Sequence, residues 1–177
     1  MEDRIPPPVV EAARNGDAGA LAVVCEKLYP RIFRYLTHKV NDPRDAEDLA
    51  GEVFVRMLEG IRNQTGNLEA WLFRIAGNLL TDHYRRRAVR ADTVGLPEEI
   101  AGGEDPAAAT ERKLSGERLR RGMKALTEEQ KEVVILRFIM GYEHGEVAEI
   151  MGRSAGAIRA LQFRALSALK GALGGRI

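Results

Sequence analysis

The segment that most constrains the fold is residues 142–169, which contains two short amphipathic stretches separated by a glycine-containing turn. On both sides of the turn, apolar residues recur at intervals of three and four, as on one face of a helix. Gly152 is suited to end the first helix because glycine adopts a left-handed conformation without steric cost. Ser154 offers a hydroxyl that can cap the second helix. This pattern predicts a helix-turn-helix, a motif whose second helix enters the DNA major groove.

The outer face of the second helix predicts a contact with DNA. Rotation by about 100° per residue from a buried Ile158 brings to the opposite side Arg159, Phe163, Ser167 and Lys170, with Arg164 on the flank. Arginines can bind phosphates or guanine edges, and an exposed phenylalanine can contact a thymine methyl group or a neighbouring domain. A plain helical hairpin with solvated arginines is the alternative that this pattern leaves open.

Charge is distributed unevenly along the 177 residues, although the formal net charge is only +1. Residues 92–111 carry acidic side chains and no basic ones, while the segment after them is basic. The acidic segment also contains glycines and prolines, which is typical of a flexible linker. We therefore expect an all-α protein in which two small helical domains are joined by a flexible acidic linker, the second being a helix-turn-helix domain of four helices. The expected divisions are an extended lead at 1–16, a first domain at 17–90, the linker at 91–112 and a second domain at 113–177.

An acidic stripe runs along one predicted helix of the first domain. Asp42 followed by Pro43 is a helix-start signal, and apolar residues then form one side of the helix. The other side carries Asp45, Asp48, Glu52, Arg56 and Glu59. Such a stripe is either a solvated helix face or a docking surface for a basic partner.

A polar loop and an arginine-rich helix follow the acidic stripe. The loop from Arg62 to Asn67 offers amide and hydroxyl groups that could hydrogen-bond to base edges, although it could equally be an ordinary connection. Asn67 is expected to cap the next helix, whose polar stripe consists of Arg74, Asn78, Thr81 and Arg85. Arg86, Arg87 and Arg90 add further positive charge. Because this cluster exceeds what the helix dipole needs, it favours phosphate binding.

Other functional classes find little support in the sequence. His38, His83 and His144 are scattered without metal-ligand spacing, and a glycine-rich phosphate loop is missing, so we expect no enzyme, metal or cofactor. The single cysteine, Cys25, lies in an apolar run and is predicted to be a buried thiol. Without a cleavable signal pattern or an apolar run of about 18 residues, we expect a cytoplasmic protein that does not insert into membranes.

The order of these elements resembles the small extracytoplasmic-function (ECF) sigma factors of bacterial RNA polymerase, the members of the sigma-70 family that have conserved regions two and four only. Four blocks carry the resemblance: DAEDLAGEVFVRML, AWLFRIAGNLLTDHYRR, LTEEQKEVVILRFIMGY and GAIRALQFRALSAL. The match covers about residues 17–88 and 113–172. The resemblance implies a transcription initiation factor that binds core RNA polymerase and directs it to specific promoters. It would recognise and melt the −10 element and read the −35 element.

The resemblance also implies roles for individual residues. Docking on the clamp of the largest polymerase subunit would use Asp45, Asp48, Leu49, Glu52, Val55 and Arg56. Contacts with the −10 element would come from Arg62, Asn63, Gln64, Asn67, Arg74, Asn78, Thr81, Asp82, Arg85, Arg86 and Arg87. Contacts with the −35 element would come from Arg153, Ser154, Gly156, Arg159, Ala160, Phe163 and Arg164. An anti-sigma factor is the further partner that the resemblance implies.

Three positions of the helix-turn-helix domain depart from the family pattern, and Ala50-Gly51 replaces the bulkier polar residues that are common in the docking helix. Glu143 stands where a small polar cap is usual and Gly145 is unexpected, so both should loosen the first helix of the motif. Phe163 occupies a position that is often histidine, which leaves the exact −35 preference open. The competing interpretation is a dimeric helix-turn-helix repressor or activator that binds a palindromic operator without polymerase. In that class the acidic stripe and the arginine-rich helix would have no role.

Overall fold

The computed structural model describes residues 5–94 and 122–173, and the regular elements within these ranges are all helical. The chain divides into two compact units, residues 1–99 and residues 100–177. The predicted all-α fold is thus confirmed for the described residues. Of the predicted linker, residues 91–94 continue a helix, and the remainder lies outside the described residues.

The first unit contains four α-helices and one short 3₁₀ turn in its described part. They are α1 (Pro7–Arg14), α2 (Ala18–Thr37), α3 (Pro43–Gly60), the 3₁₀ turn Ile61–Asn63, and α4 (Leu68–Val94). The prediction of an extended lead is wrong for residues 7–14. Proline has a φ that suits the first helical turn and lacks an N–H that would go unused there, so the proline run starts a helix instead of preventing one.

Polar side chains cap three of these helices, and the sequence predicts the caps of α3 and α4. Oxygens of Asp17, Asp42 and Asn67 accept backbone N–H groups of the following turn at 2.7, 2.9 and 3.1 Å, at the starts of α2, α3 and α4 respectively. Each cap satisfies a helix-terminal donor that would otherwise be unpaired, which stabilises a helix by about 1 kcal/mol.

The core of the first unit lies between α2, α3 and α4. Val24 and Leu36 of α2, Val53 and Met57 of α3, and Leu72 of α4 are completely buried there. Burial of one such side chain contributes about 1.5–3 kcal/mol. This packing leaves the outer faces of α3 and α4 exposed, and those faces carry most of the residues predicted to bind polymerase and the −10 element.

The second unit is built around the helix-turn-helix. Its described elements are a helical turn at residues 122–124, α5 (Glu128–Val134), a π-helical turn (Ile135–Ile139), α6 (His144–Met151) and α7 (Ala155–Ala172). A capping box opens α5: the Thr127 hydroxyl accepts the Gln130 N–H at 3.3 Å, and the Gln130 carboxamide accepts the Thr127 N–H at 3.0 Å. The part of the unit that precedes residue 122 lies outside the described residues.

Phe138 corrects one prediction about this core. The apolar run KEVVILRFIM predicts that Phe138 packs behind the helix-turn-helix together with Val133, Val134 and Leu136, which are indeed buried. Phe138 is instead 54% exposed. It lies in the π-helical turn, where the i→i+5 hydrogen-bond pattern changes the angle between successive side chains and turns this ring outward.

Candidate nucleic-acid interface

The turn between α6 and α7 has the geometry that its sequence predicts. Gly152 adopts the left-handed conformation with φ 62° and ψ 37°, which ends α6. The next N–H, of Arg153, donates to the Ala148 carbonyl at 2.9 Å. The Ser154 hydroxyl then accepts the Ala157 N–H at 3.2 Å and starts α7. These contacts fix the direction in which α7 leaves the turn.

The two sides of α7 differ sharply in burial. Ile158, Leu161, Ala165 and Leu169 pack inward. The opposite side exposes five of the predicted −35 residues, namely Gly156, Arg159, Ala160, Phe163 and Arg164. Phe163 is 73% exposed, the largest value among the exposed large hydrophobic residues that the structure describes. Because α7 contains no acidic residue, this face is basic with an apolar side chain at its middle.

Arg153, also predicted to contact the −35 element, is paired within the protein. Its guanidinium donates to the carboxylate of Glu129 in α5. Both side chains are about half exposed, so the pair is worth at most about 1 kcal/mol and can exchange for a phosphate.

Arg137 is a residue of this motif that the sequence analysis missed. Its Nε donates to the Gln162 carboxamide of α7 at 3.3 Å, and its Nη1 donates to the Tyr142 carbonyl just before α6. Arg137 therefore connects the π-helical turn to both helices of the motif. Its partners lie 5 and 25 positions away, so no local pattern could identify them.

The predicted weakness at the start of α6 is offset. The N–H of Glu143 donates to the Glu146 carboxylate at 2.8 Å, so this helix-terminal group is paired although no small polar cap is present. A carboxylate in the first turn also interacts favourably with the helix dipole. Gly145 remains as an interior glycine of α6, with the cost of backbone freedom that the sequence predicts.

On α4, the predicted polar stripe is intact. Arg74, Asn78, Thr81 and Arg85 are all exposed and follow one another at helical spacing on one side. The Thr81 hydroxyl donates to the Gly77 carbonyl at 3.0 Å and keeps its lone pairs available. Asp82 and Arg86 are exposed on the adjacent flank. The side chain of Arg90 lies outside the described residues.

Arg87 and Asp45 occupy a different position from the one predicted. The Asp45 carboxylate lies 3.8 Å from Arg87 Nη1 and 3.5 Å from His83 Nε2, so α3 and the end of α4 meet at this cluster. Asp45 is therefore engaged with α4 and is not part of the free acidic stripe. Arg87 lies on the side of α4 that faces α3, away from Arg74 and its neighbours.

The loop from Arg62 to Asn67 corrects the prediction further. Arg62 and Asn63 are exposed, but Gln64 is only 5% exposed, and its carboxamide bonds to Arg14 and to the loop backbone. Gln64 is therefore not available to read a base edge. The Asn67 carboxamide oxygen is likewise occupied by its cap on α4. The sequence identifies these residues as polar but not where their polar atoms bond.

The residues exposed on the docking face of α3 differ from those predicted. Asp48, Glu52, Val55 and Arg56 are exposed, with Glu52 and Arg56 paired at 2.9 Å. Leu49 is buried in the core, because it belongs to the apolar side of the helix, and cannot dock on a partner. Leu58 was missed: it is 52% exposed beside Val55, at the helical spacing of three that brings two residues to one side.

The described residues offer neither a metal site nor a membrane-spanning helix. Among residues 5–94 and 122–173, we find no group of three or more histidine, cysteine, aspartate or glutamate side chains placed to hold a metal ion. Within the same ranges, no helix combines the length and apolar character that crossing a bilayer requires.

Comparison with known proteins places this geometry in a family. The family model of sigma-70 region 2 matches residues 24–90, and that of sigma-70 region 4 matches residues 122–171. The chain is 34% identical to the ECF RNA polymerase sigma factor BldN of Streptomyces coelicolor over 91% of its own length, and it spans 63% of that relative. It is 33% identical to the ECF RNA polymerase sigma factor ShbA of Streptomyces griseus, with 92% of each chain covered.

A solved structure agrees with the fold. Bartonella quintana RpoE, crystallised with the anti-sigma factor NepR, superposes with a TM-score of 0.64 at 22% identity, covering 84% of this chain and 93% of that one. The two matched regions, together with a relative that the match covers to 92%, decide against the dimeric operator-binding repressor. The chain belongs to the ECF sigma factors of RNA polymerase, within the sigma-70 family.

Proposed function

We propose that this chain is a transcription initiation factor that binds core RNA polymerase and directs it to specific promoters. In this proposal α3 docks on the polymerase clamp, α4 and the loop before it recognise and melt the −10 element, and α7 reads the −35 element. The observation that carries the proposal is the exposed face of α7, which is basic, free of acidic residues and presented by a capped helix-turn-helix. The protein would act in the cytoplasm, where the polymerase is, and the polymerase supplies the catalysis.

The α7 face supports duplex reading. Gly156 and Ala160 are small, so the backbone of the first half of α7 can approach the groove closely. Arg159 and Arg164 flank them and suit guanine edges or phosphates. Phe163 follows one turn later and suits a thymine methyl group.

The first unit supports binding of the melted −10 strand. The stripe of Arg74, Asn78, Thr81 and Arg85 combines cations for phosphates with amide and hydroxyl groups for base edges. Asn63 is the exposed amide of the adjoining loop and our candidate for contact with an unpaired base. Binding energy gained on single-stranded DNA would favour the open promoter over the duplex.

The α3 face supports protein docking. It exposes Asp48 and Glu52 beside Val55 and Leu58, which gives an apolar patch with an acidic border. Interfaces commonly have such an apolar centre and a polar rim, and the carboxylates select a basic partner surface. We propose this patch, without Leu49, as the contact with core polymerase.

An anti-sigma factor is the second protein partner that we propose. Crystallised RpoE, which shares this fold, is bound to one. The exposed side chains of Leu58, Phe138 and Phe163 are large and apolar, and a protein that covered them would block docking and promoter reading together.

Run-off transcription with purified core RNA polymerase tests the proposal. With genomic fragments as templates, we expect new transcripts with defined starts only when the protein is added. Asp48→Arg should lower transcription at least about tenfold, because charge reversal at a docking surface costs more than 1.4 kcal/mol. The matched control is Glu26→Arg, the same change in charge at an exposed site on α2. Absence of transcripts with the wild type, alongside tight binding to a palindromic duplex, would contradict the proposal.

A further inference from the structure

Helix α1 precedes the segment that matches the region 2 family model, yet it contacts the loop before α4. The match begins at residue 24, whereas α1 spans Pro7–Arg14 and packs against both α2 and the 3₁₀ turn Ile61–Asn63. The contact with the loop runs through the last residue of α1, Arg14, whose side chain is only 22% exposed.

Arg14 and Gln64 are joined by hydrogen bonds, and Arg14 Nη1 also contacts the Glu11 carboxylate at 3.4 Å. Arg14 donates to the Gln64 Oε1 atom twice, from Nη2 at 2.7 Å and from Nε at 3.2 Å, and Nη2 also donates to the Gly66 carbonyl at 2.9 Å. The Gln64 Nε2 atom donates to the Thr65 carbonyl at 2.6 Å. The carboxamide is therefore paired at both ends inside the loop, as a buried amide must be.

Gln64 is the one buried polar or charged residue in the part of the chain that the structure describes. A buried amide that lost its partner would be costly, so the loop conformation depends on Arg14 being in place. The bonds from Arg14 are charge-assisted, and two of them converge on the single Oε1 atom of Gln64, which fixes the orientation of the carboxamide.

The hydrogen bonds of Arg14 lie beside an open cleft. This cleft, of about 410 Å³, separates α1 from the first turn of α4, with Val10 on one side and Leu68 on the other. The bonds to Gln64 and Gly66 therefore supplement the packing of α1 against the 3₁₀ turn, at a side where α1 and α4 are not packed together.

The turn after α1 reaches the other end of the loop. Gly16 has φ 87°, and a Cβ atom on it would lie 3.1 Å from Arg62 Nη2, so the Arg62 side chain passes directly over this glycine. The segment Arg14–Gly16 therefore contacts the loop at Arg62, Gln64 and Gly66, on both sides of the exposed Asn63.

We propose that α1 fixes the conformation of the loop 62–67 for capture of an unpaired promoter base. Arg14 is the positioning residue, and Gln64 is the loop residue to which it bonds. This inference rests on the proposed function. In this proposal Gln64 and Arg14 fix the backbone conformation of the loop, and Asn63 contacts the base. Neither Arg14 nor Gln64 touches DNA.

The test uses the full-length protein bound to core polymerase. The probes are single-stranded oligonucleotides of the −10 non-template strand, with each of the four bases at the position of highest base preference, and a −35 duplex. Arg14→Ala should lower single-strand affinity by about tenfold and reduce the ratio between best and worst base, while −35 duplex binding stays within about twofold. Gln64→Ala should do the same, and the double variant should add little, because both changes break one network.

The controls separate positioning from charge. Arg34→Ala removes an exposed arginine of the same unit and should leave the base ratio unchanged. Arg14→Lys keeps the charge but not the paired geometry, so it should restore little of the base ratio. If Arg14 instead bound phosphate, its removal would weaken binding of all four oligonucleotides equally, and Arg14→Lys would restore that binding. Either result would overturn the proposed role of α1.

Hydrogen exchange gives a readout that does not depend on promoter binding. Backbone amides of residues 62–67 should exchange faster in Arg14→Ala, while the core amides of α2 and α4 keep their protection. Unchanged loop exchange together with an unchanged base ratio would overturn the inference. If wild-type protein gave no transcripts but the loop amides still exchanged faster in Arg14→Ala, the proposed function would fail. The bonds between α1 and the loop would then stand as a structural contact only.

Discussion

The two candidate DNA-reading surfaces of this protein are built in different ways. The α7 face stands on a buried apolar side, and its arginines and Phe163 point outward from a regular helix. The loop 62–67 stands on a hydrogen-bond network in which Gln64 and Asn67 are already used. The first surface should therefore fail when its core is damaged, whereas the second should fail when single polar contacts are removed.

The largest expected effect is in the core beneath α7. Ile158 is completely buried, and Ile158→Ala should cost about 2–5 kcal/mol through the cavity it leaves. Denaturant unfolding should show a loss of stability in the second unit, and −35 duplex binding should fall with it. Leu166→Ala, at an exposed position on the same helix, should change stability by only about 0.5 kcal/mol. Equal loss of −10 strand binding in Ile158→Ala would show that the two surfaces are not independent.

A smaller effect is expected at Phe163, and it should appear in binding alone. Phe163→Ala should leave the free energy of unfolding nearly unchanged but weaken −35 duplex binding by about 1 kcal/mol. Replacing each −35 thymine by deoxyuracil in turn removes one methyl group. At one position this should weaken wild-type binding but not binding by Phe163→Ala. If deoxyuracil affected both proteins alike at every position, Phe163 would not contact a thymine methyl.

Asn67 offers a test of the loop that separates capping from base reading. Asn67→Ala should lower the free energy of unfolding by about 1 kcal/mol, because the N–H of Ala70 loses its acceptor. Asn67→Ser should keep most of the stability, since serine also caps helices well. We expect Asn67→Ser to retain −10 strand affinity as well. A selective loss of that affinity in a stable Asn67→Ser variant would return Asn67 to the base-reading set.

The smallest effect is a pH dependence in the first unit. Burial, and next the positive charge of Arg34, lower the pKa of His38 below its ordinary value of 6.5. The folded state therefore favours neutral His38, and this contribution is present above pH 6.5 and is lost as the pH falls below it. Between pH 7.5 and 5.5, wild-type protein should lose slightly more stability than His38→Gln. An equal loss in both would remove His38 as the cause.

The same contrast explains what the sequence could predict. Helical periodicity predicts where a helix forms and also which side of it each residue faces. The burial of Ile158 and the exposure of Phe163 and Arg159 therefore follow from spacing alone. The caps at Asp42 and Asn67 are equally local, since the bonded atoms lie within three residues. Where the pattern is regular, sequence and structure agree.

Contacts between distant residues could not be predicted in this way. The local sequence does not distinguish Gln64 from other loop amides, because its partner Arg14 lies 50 positions earlier in the chain. Asp45 fits an acidic stripe until α4 brings Arg87 within 3.8 Å. Phe138 fits an apolar face until the π-helical turn rotates it outward. Leu49 differs, because its burial follows from the apolar spacing of α3, and its place among docking residues came only from the family resemblance.

The bond between Arg14 and Gln64 also bears on how these proteins can be recombined. A chimera made by exchanging only residues 24–90, the matched region, would import a new loop while keeping the host's α1. If α1 fixes the loop as we propose, the imported loop would face an α1 that evolved with another loop. The chimera would then lose promoter preference even if every base-contacting residue had been transferred. On that proposal, the segment to exchange begins at Pro7, with the first turn of α1.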